Sequence, residues 1–251
     1  MQVVPAGFHF LWPPVSVGHR RTVAGGVELE TLSLQPAVFR VRNLVSAAET
    51  EELIAQAEAG NVTHKLERSM VGDDPVAGRT KSDMRTSHHA WDEGGAVAEA
   101  LKHRAFALLN LGDYRDDQID GLQILRYQPG QAYIQHHDWF PPQPPPNAAE
   151  LTPRMGGSNR IATLFVYLSD VAHGGQTVWT QTDNVSEYGA DARARAAALF
   201  PAGGWEAELV EECHTKLSVA PVRGEAVHLK RETLPPSLCS PLQPYATLPL
   251  S

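Results

Sequence analysis

Apolar and polar positions change period several times along the chain, and each change marks an element. Alternation with period two runs through VELETLSLQPAVFRVRNLV, residues 27–45, and predicts extended backbone with one buried face. The period then lengthens. Ser46-Ala-Ala-Glu49 is a capping box, in which a serine oxygen and a glutamate three residues on satisfy backbone N–H groups at a helix start. It opens AAETEELIAQAEAG, where Leu53, Ile54 and Ala57 recur at helical spacing and Gly60 closes the segment. A second helix is expected over GGAVAEALKHRAFALLNL, with Val97, Leu101, Ala105 and Leu108 on one face. Between the helices, residues 61–92 are polar and rich in turn formers (GDDPVAGRTKSDMRTS), and predict a long surface loop.

From residue 121 the pattern is that of strands. GLQILRYQPGQAYIQHHDWF predicts two strands around a Gln128-Pro129-Gly130 turn, and PPQPPPNAAELTPRMGGSN a proline-rich loop. RIATLFVYLSDV is mostly apolar, as in a strand covered on both faces. His173-Gly174-Gly175 turns the chain into QTVWT; residues 181–212 hold an alanine-rich helix (ADARARAAALF) and polar loop. LSVAPVRGEAVHL predicts the last strand pair, turning at Arg223-Gly224. From Arg231 onward alternation stops, and five prolines fall among the last 21 residues. The pattern divides the chain into an irregular leader (1–27), one α+β domain (28–230) with helices ahead of an all-β core, and an irregular proline-rich tail (231–251).

Composition narrows the function classes. A net charge of -8 without a concentrated basic run argues against nucleic acid as a partner. No apolar run approaches the ~20 residues that span a bilayer. The N-terminal stretch carries prolines at 5, 13 and 14, and its charges follow the apolar residues, so it is a poor signal peptide. Two cysteines, Cys213 and Cys239, allow one disulfide and no disulfide framework. The sequons at Asn61 and Asn184 would matter only in a secreted protein.

Candidate chemistry concentrates in YIQHHDWF, residues 133–140. On a strand, residues i and i+2 share a face, so His136 and Asp138 point together and His137 points away. An imidazole and a carboxylate on one face suit an iron(II) site of two histidines and one carboxylate, and would also suit zinc. H-x-D alone is a common tripeptide, so its context and a third ligand decide the matter.

That context is specific. GLQILRYQPGQAYIQHHDWF followed by NRIATLFVYLSDVAHGGQTVW resembles the prolyl 4-hydroxylase family of iron(II)- and 2-oxoglutarate-dependent dioxygenases, in its plant and algal form. LSLQPAVFRVRNLVSAAETEELI, LERSMVGDD and DMRTSH match in the same order, so the resemblance covers about residues 29–227. It implies a double-stranded β-helix, a jelly-roll of the cupin kind, with N-terminal helices packed on it. It also implies Fe(2+), 2-oxoglutarate and L-ascorbate as cofactors, and O2 and a proline-containing peptide or protein as partners. Residue by residue, it implies His136 and Asp138 as iron ligands, and Tyr127 and Thr177 as contacts of 2-oxoglutarate. Tyr133 and Arg160 would lie against the peptide, and Arg85 in the loop that folds over it. Family members often work in the secretory pathway; the compartment of this chain is left open.

The family also uses a distal histidine as third ligand and a lysine that pairs with the far carboxylate of 2-oxoglutarate, both beyond the last G-[DE]-A strand. Gly224-Glu225-Ala226-Val227 matches that strand, yet no histidine follows His228 and no lysine follows Lys230. The closing strands of the domain are therefore expected to be missing. His228 is the remaining candidate for third ligand and would have to reach the metal from a neighbouring strand. His173 falls in a turn and His214 in a loop. Three functions stay open on this sequence: a peptidyl-proline dioxygenase with impaired catalysis, a non-catalytic binder of proline-rich peptides, and a zinc hydrolase using His136, Asp138 and His228.

Overall fold

The computed structural model describes residues 12–59, 67–68, 87–92, 94–116, 119, 121–128, 131–133, 136, 138, 162–172, 174–182, 198, 205–230, 237–239 and 245–250. Three helices occur among them: α1 (Ala47–Glu58), α2 (Ala96–Leu109) and α3 (Trp205–Thr215). The strands are β1 (Arg20–Thr22), β2 (Glu28–Leu34), β3 (Ala37–Arg42), β4 (Glu67–Arg68), β5 (His88–Asp92), β6 (Leu122–Arg126), β7 (Ala162–Val166), β8 (Gln176–Trp179), β9 (Leu217–Val219), β10 (Ala226–Lys230), β11 (Ser237–Cys239) and β12 (Tyr245–Leu250). Nine strands form one sheet in the order β1-β2-β3-β10-β7-β12-β6-β5-β4, and three form a second in the order β11-β8-β9. The chain is thus α+β with two antiparallel sheets.

Both long helices begin as their sequences dictate. At α1 the Ser46 hydroxyl accepts the Glu49 N–H, and a Glu49 carboxylate oxygen accepts the Ser46 N–H at 2.8 Å. At α2, Asp92 Oδ1 accepts the N–H groups of Gly94 and Gly95, both at 2.9 Å. Leu53 and Ala57 of α1, with Leu101, Ala105 and Leu108 of α2, are buried against one face of the large sheet, supplied by Leu29, Phe39, Val41, Ile124, Leu164 and Ala226. Period two then puts the intervening residues on the other face. There Val38, Leu125, Phe165 and Val227 meet Trp179, Leu217 and Val219 of the small sheet. The two sheets therefore enclose a second apolar interior, and the candidate site opens from it. The outer face of the small sheet is covered by α3, through Val178 against Leu209 and Cys213. Cys213 is disulfide-bonded.

Several expectations need correction. The leader is not wholly irregular, because β1 pairs with β2 through Arg20↔Glu30 and Thr22↔Glu28. Arg42, with Arg20, binds the carboxylates of Glu28 and Glu30 across these strands, the closest contact being Arg42 to Glu30 at 2.6 Å. Burial opposes ionisation of Glu30, but these guanidinium contacts outweigh it and hold its carboxyl below the usual range. The stretch 27–45 is a hairpin, broken at Gln35-Pro36, and residues 88–92 form a strand inside the expected loop. Residues 205–215 are helical, so His214 lies on α3 and not in a loop. The alanine-rich helix expected near 190–200 lies outside the described residues apart from position 198. Finally β9 and β10 do not pair with each other; they join different sheets. The turn between them closes on the end of β7, where Gly224 N–H donates to Tyr167 O and Tyr167 N–H to Glu225 O, both at 2.9 Å. Gly224 has φ +80°, and a Cβ there would lie 2.5 Å from Val45 O.

The largest correction concerns the C-terminal segment, which is not irregular throughout. β11 pairs with β8, with Leu238 opposite Thr177. β12 lies between β6 and β7, with Thr247 opposite Gln123 and Leu248 opposite Leu164. The physical reason is that an open slot between strands presents backbone donors and acceptors on both sides, and backbone pairing is almost indifferent to side-chain pattern. Absent alternation removed the sequence signal without removing the partners.

Candidate active site

The site is built on β7. Ala162, Leu164 and Val166 face the helices, so Thr163, Phe165 and Tyr167 face the interior between the sheets. Thr163 Oγ1 donates to Asp138 Oδ2 at 2.7 Å. The other carboxylate oxygen, Oδ1, lies 3.2 Å from His136 Nε2. The Tyr133 ring stacks on the His136 ring, with centroids 3.6 Å apart and planes 14° from parallel. His136 and Asp138 thus converge, as expected, but not because they sit on a regular strand. Tyr133 makes a single bridge, Asp138 lies in a bend, and no strand is described over 131–138. The pair is aligned by what holds each member: the threonine under the carboxylate and the tyrosine against the imidazole.

This donor pair fits a metal ion. Two ligand atoms each about 2.1 Å from one ion, and about 90° apart, are about 3.0 Å from each other. The observed 3.2 Å between Nε2 and Oδ1 matches that spacing. Side-chain exposures of 21% and 26% leave the pair reachable from solvent. Among the described residues there is no group of three or more His, Cys, Asp or Glu able to hold a metal.

His228 does not supply the third ligand. It follows Ala226 on the helix-facing side of β10, and its ring stacks on Phe39, with centroids 5.8 Å apart. It pairs with Leu164, whereas Thr163, the neighbour of Asp138, points to the other face. The sheet itself separates His228 from Asp138. Burial drives the His228 pKa down to about 4, offset in part by a 3.4 Å contact between Nδ1 and Thr163 O. It is a neutral core imidazole.

The structure places the two residues expected to contact 2-oxoglutarate as follows. Tyr127 is buried in the interior cluster, and Tyr133 packs against it. Thr177, fully buried, accepts a hydrogen bond at 2.7 Å from the hydroxyl of Tyr167. Trp179, two residues along β8, belongs to the same cluster. Arg160, Arg85 and His173 lie outside the described residues. Sequence reasoning missed Thr163 and Tyr167. Both stand in RIATLFVYL, and their signal was two hydroxyl residues four apart, on one face of an otherwise apolar strand.

Residues 122–228 match the family profile described as the 2OG-Fe(II) oxygenase superfamily. Over this stretch the chain is similar to that superfamily. The matched stretch runs from the start of β6 into β10 and includes Tyr127, His136, Asp138, Thr163 and Thr177. The chain is similar to plant prolyl 4-hydroxylases. It is 32% identical over 205 residues to "Probable prolyl 4-hydroxylase 3" of Arabidopsis thaliana, covering 79% of this chain and 59% of that one. It is 36% identical over 154 residues to "Probable prolyl 4-hydroxylase 6" of the same plant, covering 59% and 47%. The chain thus spans about half the length of the curated relatives it matches. The fold is shared with two solved structures. One is a Pseudomonas putida prolyl-4-hydroxylase (TM-score 0.50, 15% identity, covering 85% of this chain and 91% of that one). The other is a Trichoplax adhaerens prolyl hydroxylase in complex with a hypoxia inducible factor oxygen degradation domain peptide fragment (TM-score 0.51, 13% identity, 85% and 82%).

Proposed function

We propose that this chain is an Fe(II)/2-oxoglutarate-dependent dioxygenase that hydroxylates peptidyl proline, on a fold whose two facing sheets form a double-stranded β-helix. One observation carries the reading. His136 and Asp138 converge at metal-ligand spacing, with the carboxylate anchored by Thr163, beside an interior lined by Tyr127 and Thr177.

His136 Nε2 and Asp138 Oδ1 would hold the iron, and Thr163 commits the second carboxylate oxygen elsewhere, which orients the first. Iron held there would let O2 act as oxidant with 2-oxoglutarate as co-reductant, so that one oxygen atom would go into a substrate C–H bond and the other into succinate as CO2 leaves. Tyr127 and Thr177 would orient the 2-oxo acid. The apolar walls of Phe165, Leu217 and Val219 keep bulk water from it. Tyr133, fixed against His136, presents its ring beside the metal position, where a proline ring of an extended peptide would pack. Arg160 and Arg85 are proposed as further peptide contacts, and L-ascorbate as the reductant that keeps the iron ferrous.

The test is an anaerobic titration of iron(II) with 2-oxoglutarate, followed by the visible charge-transfer absorbance of the chelate. Incubation with a proline-rich peptide in air then follows, with succinate and peptide mass as readouts. A band that His136→Ala and Asp138→Ala abolish, with stoichiometric succinate and gain of one oxygen by the peptide, is the expected result. A second reading, a binder of proline-rich peptides without catalysis, is favoured by the two-residue ligand set among the described residues. It is the outcome if the peptide binds in the presence of a chelator and no band forms.

A further inference from the structure

β5 has one covered face and one open face. Ala90 and Asp92 are buried on the side that packs under the helices, Ala90 in the apolar cluster there and Asp92 capping α2. The opposite face carries His89, half-buried, and Trp91, 36% exposed. The solvated face of a sheet is ordinarily polar. Here it presents two aromatic rings set edge to face, with centroids 6.4 Å apart. The Trp91 ring is seated against Gly121, just ahead of β6, where a Cβ would stand 3.6 Å from it. Register decides which side of the molecule this is. His89 pairs with Leu125 and Trp91 with Gln123, and directly opposed residues point to the same face. Leu125 lies in the cluster between the sheets with Tyr127, and Tyr133 packs on that cluster. The two rings of β5 therefore stand on the face that carries the candidate site, at its outer edge. Tyr133, stacked on His136, marks the inner end of the row. From Leu125, His89 is one strand spacing away, ~5 Å. The Trp91 ring is 6.4 Å beyond that of His89. A polyproline II chain rises ~3.1 Å per residue, so about four residues cover that path. Rows of aromatic rings bind such chains by packing proline rings, and the preformed helix costs little entropy to hold.

We propose that Trp91, with His89 beside it, forms a second proline subsite, which packs a proline ring about four residues along the peptide from the one at Tyr133. The proposal rests on the peptidyl-proline reading above and adds to it a substrate preference. Peptides in which proline recurs beyond the reacting residue are favoured over those with a short proline segment.

The experiment compares two probes on the full chain, a capped (Pro)3 peptide too short to bridge Tyr133 and Trp91, and a capped (Pro)10 peptide that does. Dissociation constants are measured anaerobically by calorimetry with iron(II) and 2-oxoglutarate present. Wild type should bind (Pro)10 the more tightly. Trp91→Ala should weaken (Pro)10 about tenfold or more, the scale of a truncated aromatic anchor, and leave (Pro)3 within about twofold. Trp91→Phe should retain most of the affinity. Equal weakening of both peptides, or unchanged (Pro)10 binding, overturns the subsite and leaves the oxygenase reading standing. Self-association through this face, seen as a dimer in sedimentation that Trp91→Ala makes monomeric without changing (Pro)10 affinity, overturns it too. If wild type binds neither peptide, the peptidyl-proline reading falls and the subsite falls with it. Should Trp91→Ala fail to fold, wild type labelled with 15N-tryptophan answers the question. The Trp91 indole resonance, assigned by its loss in Trp91→Phe, should shift with (Pro)10 and not with (Pro)3; the same spectrum with both refutes the proposal.

Discussion

His228 offers the sharpest test of the fold, because its burial makes a signed prediction. The imidazole is wholly enclosed, stacked on Phe39, and its pKa falls from 6.5 to about 4. In the unfolded chain it recovers its ordinary value, so on acidification the unfolded state takes up the proton first. The contribution is fully present above pH 6.5, declines as pH falls towards 4, and is constant below that. The total, about 2.5 pKa units, corresponds to roughly 3 kcal/mol, and about 2 kcal/mol of it is lost between pH 7.5 and 5.0. The assay is urea unfolding of wild type and His228→Leu at a series of pH values. Above pH 7 the two should differ by about 1.5 kcal/mol or less, the scale of one neutral hydrogen bond. At pH 5.0 the variant should have gained about 2 kcal/mol relative to wild type. Parallel pH profiles would refute the burial argument. A His228→Leu protein that loses metal affinity while its pH profile is unchanged would restore the histidine as a ligand.

Other outcomes follow from the same structure. Thr163→Val removes the bond to Asp138 and should weaken iron(II) or zinc(II) binding about ten- to a hundredfold by calorimetry, while Thr163→Ser retains most of it. Gly224→Ala forces a side chain into φ +80° and onto Val45 O, and should lower stability by about 1–3 kcal/mol or more in chemical denaturation. A chain ending at Lys230 loses β11 and β12, leaving the facing edges of β6 and β7 unpaired; it should melt without a cooperative transition or aggregate. Retention of the full-length melting temperature would show that β12 adds nothing to the sheet.

The sequence by itself determined the elements whose signals are local. The capping box at Ser46 and the spacing of Leu53, Ala57, Leu101 and Ala105 wrote α1 and α2, because helix contacts lie three and four residues apart. The apolar run of β7 wrote a strand buried on both faces. The pairing of His136 with Asp138 was legible from H-x-D and its surroundings, although the reason offered, a regular strand, was not the one that aligns them. Tertiary structure decided what depends on distant partners. β11 and β12 became strands because neighbouring backbones were waiting, and five prolines had hidden them. His228 was the remaining candidate for third ligand, from a neighbouring strand, and the sheet put it on the far side, since one step along a strand reverses the face. Thr163 and Tyr167 read as strand filler until β7 was placed against Asp138 and Thr177, about 25 and 10 residues away in sequence. A hydroxyl carries no mark of its partner: its role is fixed by which face of the sheet it occupies and what the fold brings opposite.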